Sequence, residues 1–283
     1  MSARGISFQL FRYQLLPIDR FLQGNLLTGV RSIEELIIRK NEFFSEALSG
    51  KRNFSDNRNE KITRKLYQDG EFFLFRIANN RSIHRETKEF KDELIDSWPS
   101  ILVAIWNDPE HQLIAVQKRT SAFWSCEAVV KMIMNAMSPQ LAHHHLRAIY
   151  EPLFEKQRFW SLLHKYEGRI KSVEFEIVTP NMANISGALP DDLKEFAKHT
   201  NSTRNKLKLE SDPDAPLHLE ESNTVLKGLV DYSGDGGGNI SLKIDGIQKK
   251  YNTSKTVKEV AVGDMEMEGD AESIAKVLKE LLK

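Results

Sequence analysis

Basic side chains that alternate with hydroxyl and aromatic side chains are the groups in this sequence most able to do chemistry. Residues 117–124 spell Gln-Lys-Arg-Thr-Ser-Ala-Phe-Trp, and three further basic clusters lie elsewhere in the chain. Lysine and arginine contact phosphates through their charge, and serine, threonine, asparagine or tyrosine add hydrogen bonds. The predicted nucleic-acid-binding residues are Arg52, Arg58, Lys61, Arg64, Lys65, Lys118, Arg119, Arg204, Lys206, Lys249, Lys250 and Lys255.

The net charge of the whole chain does not indicate a binding partner. The sequence holds 40 lysines and arginines against 40 aspartates and glutamates. Any single basic cluster is typical of a solvated face, and only the presence of several favours a nucleic-acid surface. Because nucleic-acid binders are more often basic, neutrality keeps open a module that recognises another protein. The sequence predicts neither a recognition helix nor a stacking platform.

Two conspicuous motifs favour structural roles. The glycine-rich segment 234–238 has a predicted helix before it and a strand after it, the reverse of a phosphate loop, and no lysine follows. It therefore predicts a turn. The three consecutive histidines 143–145 point in different directions on a helix and lack the spacing of zinc ligands, so they predict a polar helix end.

A pair of glutamates and the single cysteine are the other residues that could take part in catalysis. Glu174 and Glu176 lie on one face of a predicted strand, but the lysine that a metal-dependent nuclease needs two positions later is absent. Cys126, the only cysteine, falls near a predicted helix start, without an assignable base. We therefore predict no catalytic residue, no metal and no cofactor, with a degenerate nuclease as the alternative.

The elements that must position these groups indicate an α+β fold with mixed, largely antiparallel sheets. Alternating or continuous apolar residues predict strands at 6–16, 72–77, 101–106 and 113–117. Ser32 and Glu35 form a capping box for a helix that Gly50 ends, and another helix is predicted near 125–137. The polar segment 51–68 is interpreted as a linker or the edge of a binding surface.

From residue 146 onward, strands and helices alternate. Strands are predicted around 147–153, 173–177, 207–209, 240–244 and 256–262, and helices around 159–166, 190–197, 222–230 and 274–282. The spacing of Ile274, Val277, Leu278 and Leu281 is the clearest helical pattern in the sequence. The predicted domains are an N-terminal sheet-and-helix domain over 1–145 and a C-terminal alternating domain over 146–283.

The single cysteine rules out an internal disulfide and favours a reducing compartment. No segment approaches the roughly 20 apolar residues that span a bilayer, and no signal peptide is recognisable. We expect a cytoplasmic protein without membrane insertion.

Several short segments in the middle of the chain follow a known order. They are 98–103 (WPSILV), 113–116 (LIAV), 120–121 (TS), 150–153 (YEPL), 168–169 (GR), 171–174 (KSVE) and 240–243 (ISLK). In these segments the chain resembles the family of phage-exclusion proteins that includes RexA of phage lambda and similar prokaryotic phage-defence proteins. The resemblance spans about residues 96–255, while 1–90 and 206–238 depart from it.

The resemblance implies a homodimer that binds DNA with little sequence preference. It also implies a role as the sensor of an abortive-infection pathway, which allows a second defence-system protein as a partner. It implies no enzyme activity. No family motif assigns binding residues, so the predicted site depends on the basic clusters alone.

Overall fold

Apolar runs in the sequence form most of the strands that build the fold. The computed structural model describes residues 5–19, 30–51, 53–55, 59–179, 187–212 and 215–283. In these ranges the strands are β1 (Ile6–Pro17), β2 (Lys61–Asp69), β3 (Phe72–Asn79), β4 (Ile83–Glu86), β5 (Asp92–Ile95), β6 (Ser100–Trp106), β7 (Leu113–Gln117), β8 (Leu146–Pro152), β9 (Ile170–Val178), β10 (Arg204–Glu210), β11 (Gly238–Ile244), β12 (Tyr251–Asn252) and β13 (Glu259–Val262).

The helices carry the apolar faces that cover these sheets. Within the described ranges they are α1 (Ile33–Gly50), α2 (Cys126–His143), α3 (Lys156–Lys165), α4 (Asp191–His199), α5 (Thr224–Tyr232) and α6 (Ala271–Leu281). Helices and largely antiparallel sheets together confirm the predicted α+β class. None of the helices in the described part of the chain is long and apolar enough to cross a membrane.

The chain forms two compact units, each built from separate stretches of sequence. Unit 1 comprises residues 1–9, 38–148 and 259–283, and unit 2 comprises residues 10–37 and 149–258. The sequence predicted two consecutive domains that meet near residue 145. In the structure, β13 and α6 return to the unit that holds β2 to β7.

A sheet in the order β13-β1-β7-β6-β3-β2 forms the framework of unit 1. As its continuous apolar sequence predicts, β6 is a central strand, and residues 101–106 are all buried. Helix α6 packs on β2, β3 and β6, where the Lys279 ammonium lies 5.7 Å from the centre of the Trp106 ring. Helix α2 packs against β7. The predicted hairpin of β6 and β7 is confirmed.

Two strand regions of unit 1 differ from the prediction. Residues 61–69, interpreted as part of a linker or surface edge, form β2 and pair with β3. An edge strand carries polar side chains more readily than a central one, so alternation is weak there. The short strands β4 and β5 pair only with each other, and their charged sequence gave no signal.

Unit 2 contains a second antiparallel sheet, in the order β10-β9-β11-β12. One face, which includes Phe175 and Leu242, packs with α3 and α5 in an apolar core, while Glu174 and Glu176 lie on the polar face. The glycine-rich segment forms a π-helical turn, Ser233–Gly237, between α5 and β11, which confirms the predicted turn. A methyl group on Gly238 would lie 2.0 Å from the Glu176 carbonyl oxygen, so close packing explains this glycine.

Candidate nucleic-acid interface

A pair of arginines on neighbouring strands is the first part of the candidate site. Arg64 on β2 lies directly opposite Arg76 on β3, and both side chains are exposed. Side chains opposite each other in an antiparallel pair are about 5 Å apart at Cβ. Neither arginine forms an ion pair with a carboxylate in the described part of the chain. The two like charges therefore lie side by side, without a counter-ion among the described residues.

An arginine stacked on a tryptophan is the second part. The Arg81 guanidinium carbon lies 5.3 Å from the centre of the Trp124 ring. Arg81 Nε and Nη2 both donate to the Ala122 carbonyl oxygen, at 3.3 and 3.2 Å, and Asn79 Nδ2 donates to the same oxygen at 2.8 Å. The indole is nevertheless 80% exposed. A cation is thus fixed against a ring that remains open to solvent.

The segment between β7 and α2 supplies the third part. Arg119 Nη1 donates to the Ser100 carbonyl oxygen at 3.0 Å, which ties this exposed arginine to the start of β6. A cavity of about 120 Å³ lies beside it and is lined in part by Lys118, Thr120, Trp124 and Ser125. The wall also includes Phe123, Cys126 and Val129, so this small space next to the exposed indole has both polar and apolar sides.

Lys118 differs from Arg119 because it has a counter-ion within unit 1. Its ammonium lies 2.8 Å from the Glu259 carboxylate. Hydrogen bonds from Lys118 and Ser7 hold the pKa of Glu259 below its usual range. Lys118 therefore lines the cavity with its charge neutralised, whereas Arg119 beside it forms no ion pair with a carboxylate of the described residues.

Arg76 lies in the middle of β3, whereas Asn79, which donates to the same Ala122 oxygen as Arg81, lies at its end. Because side chains alternate between the faces of a strand, Arg76 and Asn79 point to opposite faces of the unit 1 sheet. Arg76 is opposite Leu102 on β6, and Leu102 N donates to Gln117 Oε1 at the end of β7. From strand spacing and rise, the Cα atoms of Arg76 and Arg119 are roughly 12 Å apart. We call Arg64, Arg76, Arg81, Arg119 and Trp124 the arginine surface of unit 1.

The first predicted basic cluster is only partly available on this surface. Lys61 is 4% exposed and its ammonium donates to the Asn59 carbonyl oxygen at 2.9 Å, so including it in a phosphate-binding surface was wrong. Lys65 is exposed and bonds to Gln68 Oε1 at 2.7 Å. Arg52 and Arg58 lie outside the described residues.

Arg204 and Lys206 are exposed but neutralised by neighbouring carboxylates. Arg204 contacts Glu151 at 2.6 Å and Glu176 at 2.9 Å, and Lys206 contacts Glu174 at 3.2 Å. Burial lowers the pKa of Arg204, but attraction to and hydrogen bonds with Glu151 and Glu176 together outweigh burial, so the net shift of the pKa is upward. A hydrogen bond to Glu174 also raises the pKa of Lys206. These cations stabilise the sheet of unit 2 and are not free for phosphate.

The remaining predicted lysines form a separate basic group on unit 2. Lys249 and Lys250 are exposed in the loop between β11 and β12, and Lys255 is exposed in a short 3₁₀ turn. This loop borders an open cleft of about 680 Å³ whose wall includes Lys171 and Lys243. Glu210 and Asp245 also line the cleft, so its cations are partly balanced.

The paired glutamates and the histidines form no metal centre. Glu174 and Glu176 bind the cations of β10, and no group of three or more possible metal ligands occurs among the described residues. His143 ends α2 as predicted, and His144 stacks on Phe43 with ring centres 4.0 Å apart. Partial burial lowers the pKa of His144.

Cys126 lacks the properties of a nucleophile. The thiol is 5% exposed, and its sulfur contacts the Val116 carbonyl oxygen at 3.6 Å. Burial raises the pKa of the thiol to about 12. Since the thiolate is the reactive form, the helix start near Cys126 does not activate it.

Sequence reasoning missed three members of the arginine surface. Arg76 interrupts an otherwise apolar strand, FFLFRIA, and an isolated charge in such a pattern was a usable signal. Arg81 carried no signal, because its contact with Trp124 spans 43 positions. Trp124 was noted beside the basic residues but not assigned to the site.

Comparison with protein-family models finds no match for this chain, and no curated protein matches it significantly.

Proposed function

We propose that this protein binds DNA with little sequence preference through the arginine surface of unit 1. Guanidinium groups bind phosphate oxygens through charge and paired hydrogen bonds. Arg64 and Arg76 lie on neighbouring strands, and Arg81 and Arg119 lie just after β3 and β7, so none of these arginines is on a recognition helix. This arrangement favours contact with the sugar-phosphate backbone over reading of base edges.

The Arg64–Arg76 pair is the observation that carries the proposal. Like charges directly opposite each other on a sheet are destabilising, and the three cations of β10, Arg204, Lys206 and Lys208, avoid that cost by pairing with glutamates. Arg64 and Arg76 have no such carboxylate in the described ranges. A phosphate group placed between them would supply the missing counter-ion.

Gel-shift and anisotropy titrations on unrelated duplexes at several salt concentrations test the proposal. Affinity should fall steeply with salt, and the log–log slope should decrease by about one for each phosphate contact removed. The variant Arg64→Gln/Arg76→Gln should therefore lose about two units of slope. The matched control Lys206→Gln/Lys208→Gln removes two cations that already bind glutamates, so its slope should match that of the wild type. Absence of binding at low salt would refute the proposal.

The proposal includes a role in phage defence of the abortive-infection type, acting as a homodimer in the cytoplasm. The resemblance to phage-exclusion proteins supports the role. The β4–β5 hairpin supports an association between chains, because Ile83, Phe90 and Leu94 on it are 52%, 86% and 59% exposed. Sedimentation of the wild type and of Phe90→Ser/Leu94→Ser tests this part. A wild type that stays monomeric at all concentrations would contradict the dimer.

A protein-interaction module is the second candidate, and the same hairpin favours it. An isolated two-stranded hairpin is only marginally stable in water, and apolar side chains on it gain from a partner. Capture from phage-infected cells with the wild type and with Phe90→Ser/Leu94→Ser as bait distinguishes the candidates. A phage or host protein lost from the variant, without any DNA binding at low salt, would establish the second candidate.

A further inference from the structure

Trp124 is the most exposed tryptophan among the described residues, and its surroundings are those of a binding platform. Trp106 and Trp160 are 8% and 3% exposed, whereas Trp124 is 80% exposed. Its ring is not loose on the surface, because Arg81 stacks against it and is itself held by two hydrogen bonds to Ala122. A flat aromatic surface is therefore presented to solvent with a positive charge beside it.

From this arrangement we infer that Trp124 and Arg81 form a stacking platform for an unpaired base, so that the arginine surface prefers single-stranded nucleic acid to intact duplex. The inference rests on the proposed function and specifies its ligand. Every nucleobase has a π-face, so stacking on an aromatic ring tolerates any sequence. In a duplex the base faces are covered by their neighbours, and an exposed indole has nothing to stack on except at the ends.

The cavity beside the platform fits the same ligand. Its volume of about 120 Å³ is about four times the share of one water molecule in the liquid, which is room for a phosphate group. Arg119 and Thr120 line it and offer a cation and a hydroxyl donor. Stacking on Trp124 and phosphate contact in the adjacent cavity are the two interactions by which proteins hold single strands without sequence readout.

Fluorescence and anisotropy titrations of the full-length protein with oligo(dT), oligo(rU) and a duplex of equal length test the inference. Oligo(dT) should bind more tightly than the duplex and quench tryptophan emission, and the oligo(rU) arm shows whether DNA or RNA is favoured. Stacking of one base contributes about 1–3 kcal/mol. Trp124→Ala should therefore weaken single-strand binding by about 5- to 140-fold, abolish the quenching and weaken duplex binding less than single-strand binding.

Two further variants distinguish the loss of base stacking from the loss of any exposed aromatic side chain. Trp124→Phe should restore most of the single-strand affinity, because a smaller aromatic ring still stacks. Phe196→Ala removes an exposed aromatic side chain that has no role in the proposed surface, and it should leave single-strand affinity and quenching unchanged. Equal binding of duplex and single strand, unchanged by Trp124→Ala, would overturn the inference while leaving the proposed function intact. Failure of every nucleic acid to bind at low salt would instead refute the proposed function.

Discussion

Arg64 and Arg76 lie directly opposite each other on β2 and β3, and neither has a carboxylate partner in the described part of the chain. Such a pair lowers stability and is therefore a cost that a bound anion would remove. The contrast with Arg204, which is held by Glu151 and Glu176, shows that this protein pairs cations elsewhere. Replacing an arginine with an uncharged residue should therefore raise the free energy of unfolding at the Arg64–Arg76 pair and lower it at Arg204.

Removal of one member of the Arg64–Arg76 pair should raise stability. A double-mutant cycle with Arg64→Thr and Arg76→Thr is expected to give an unfavourable coupling of about 0.2–1 kcal/mol between the arginines. The coupling should shrink in high salt, because exposed charges are screened. Urea unfolding at low and high salt measures it. A favourable coupling, or one that ignores salt, would show that the two charges do not repel each other.

Removal of Arg204 should lower stability. The substitution Arg204→Gln leaves the Glu151 carboxylate, whose side chain is only 9% exposed, without its cation. Loss of this charge-assisted contact to a largely buried carboxylate is expected to cost about 1–3 kcal/mol. Lys206→Gln is the control, since its 61% exposed side chain forms surface ion pairs that contribute at most about 1 kcal/mol. Equal effects of both substitutions in thermal and urea unfolding would contradict this assignment.

Lys40 should make stability rise with pH between about 8 and 10.5. The side chain is 4% exposed, and burial lowers its pKa from 10.5 to about 8 in the folded protein. In that window the unfolded chain binds the proton and the folded chain does not, so the free energy of unfolding increases with pH. Below pH 8 both states are protonated, and the full penalty of about 3 kcal/mol applies.

Comparison with Lys40→Met isolates this contribution from other groups that titrate in the same range. The variant should be more stable than the wild type at pH 7, and its advantage should decline as pH rises above about 8. Urea unfolding at a series of pH values measures the difference. An advantage that is constant from pH 7 to 10 would show that the buried amine does not titrate early.

Most of the helices and strands could be predicted from the local pattern of apolar residues, whereas the residues of the candidate site could be predicted only in part. The apolar run of β6 and the heptad-like spacing of Ile274, Leu278 and Leu281 specify their elements, because burial on one or both faces imposes a period. The edge strand β2 has no buried face of that kind along its length, and its polar residues concealed it.

Ion pairs between residues far apart in the sequence determine which basic side chains can bind a phosphate. These ion pairs could not be predicted from the local sequence. Lys206 and Arg119 look alike as basic residues next to strands, yet register places Glu174 and Glu176 within reach of Lys206. Arg119 instead bonds to a carbonyl oxygen, which leaves its charge uncompensated. The fold also determines the exposure of Lys61, because its position in β2 buries the side chain.

Cys126 should react with a thiol reagent only when the protein unfolds. Its pKa of about 12 leaves almost no thiolate at pH 8, and the sulfur is shielded by the end of β7. We expect iodoacetamide labelling to be negligible in buffer and complete in urea, as followed by mass spectrometry. Rapid labelling of the folded protein would contradict the buried thiol and would reopen the question of a nucleophile.

Gly238 should tolerate no side chain, for a packing reason that has nothing to do with phosphate binding. A methyl group there would meet the Glu176 carbonyl oxygen at 2.0 Å, so β9 and β11 would have to separate. We expect Gly238→Ala to lower the free energy of unfolding by about 1–3 kcal/mol. Gly50→Ala, where a methyl group meets no atom within 4 Å, is the control and should be neutral or slightly stabilising. If Gly238→Ala instead left stability unchanged, the close approach of the two strands would be wrong.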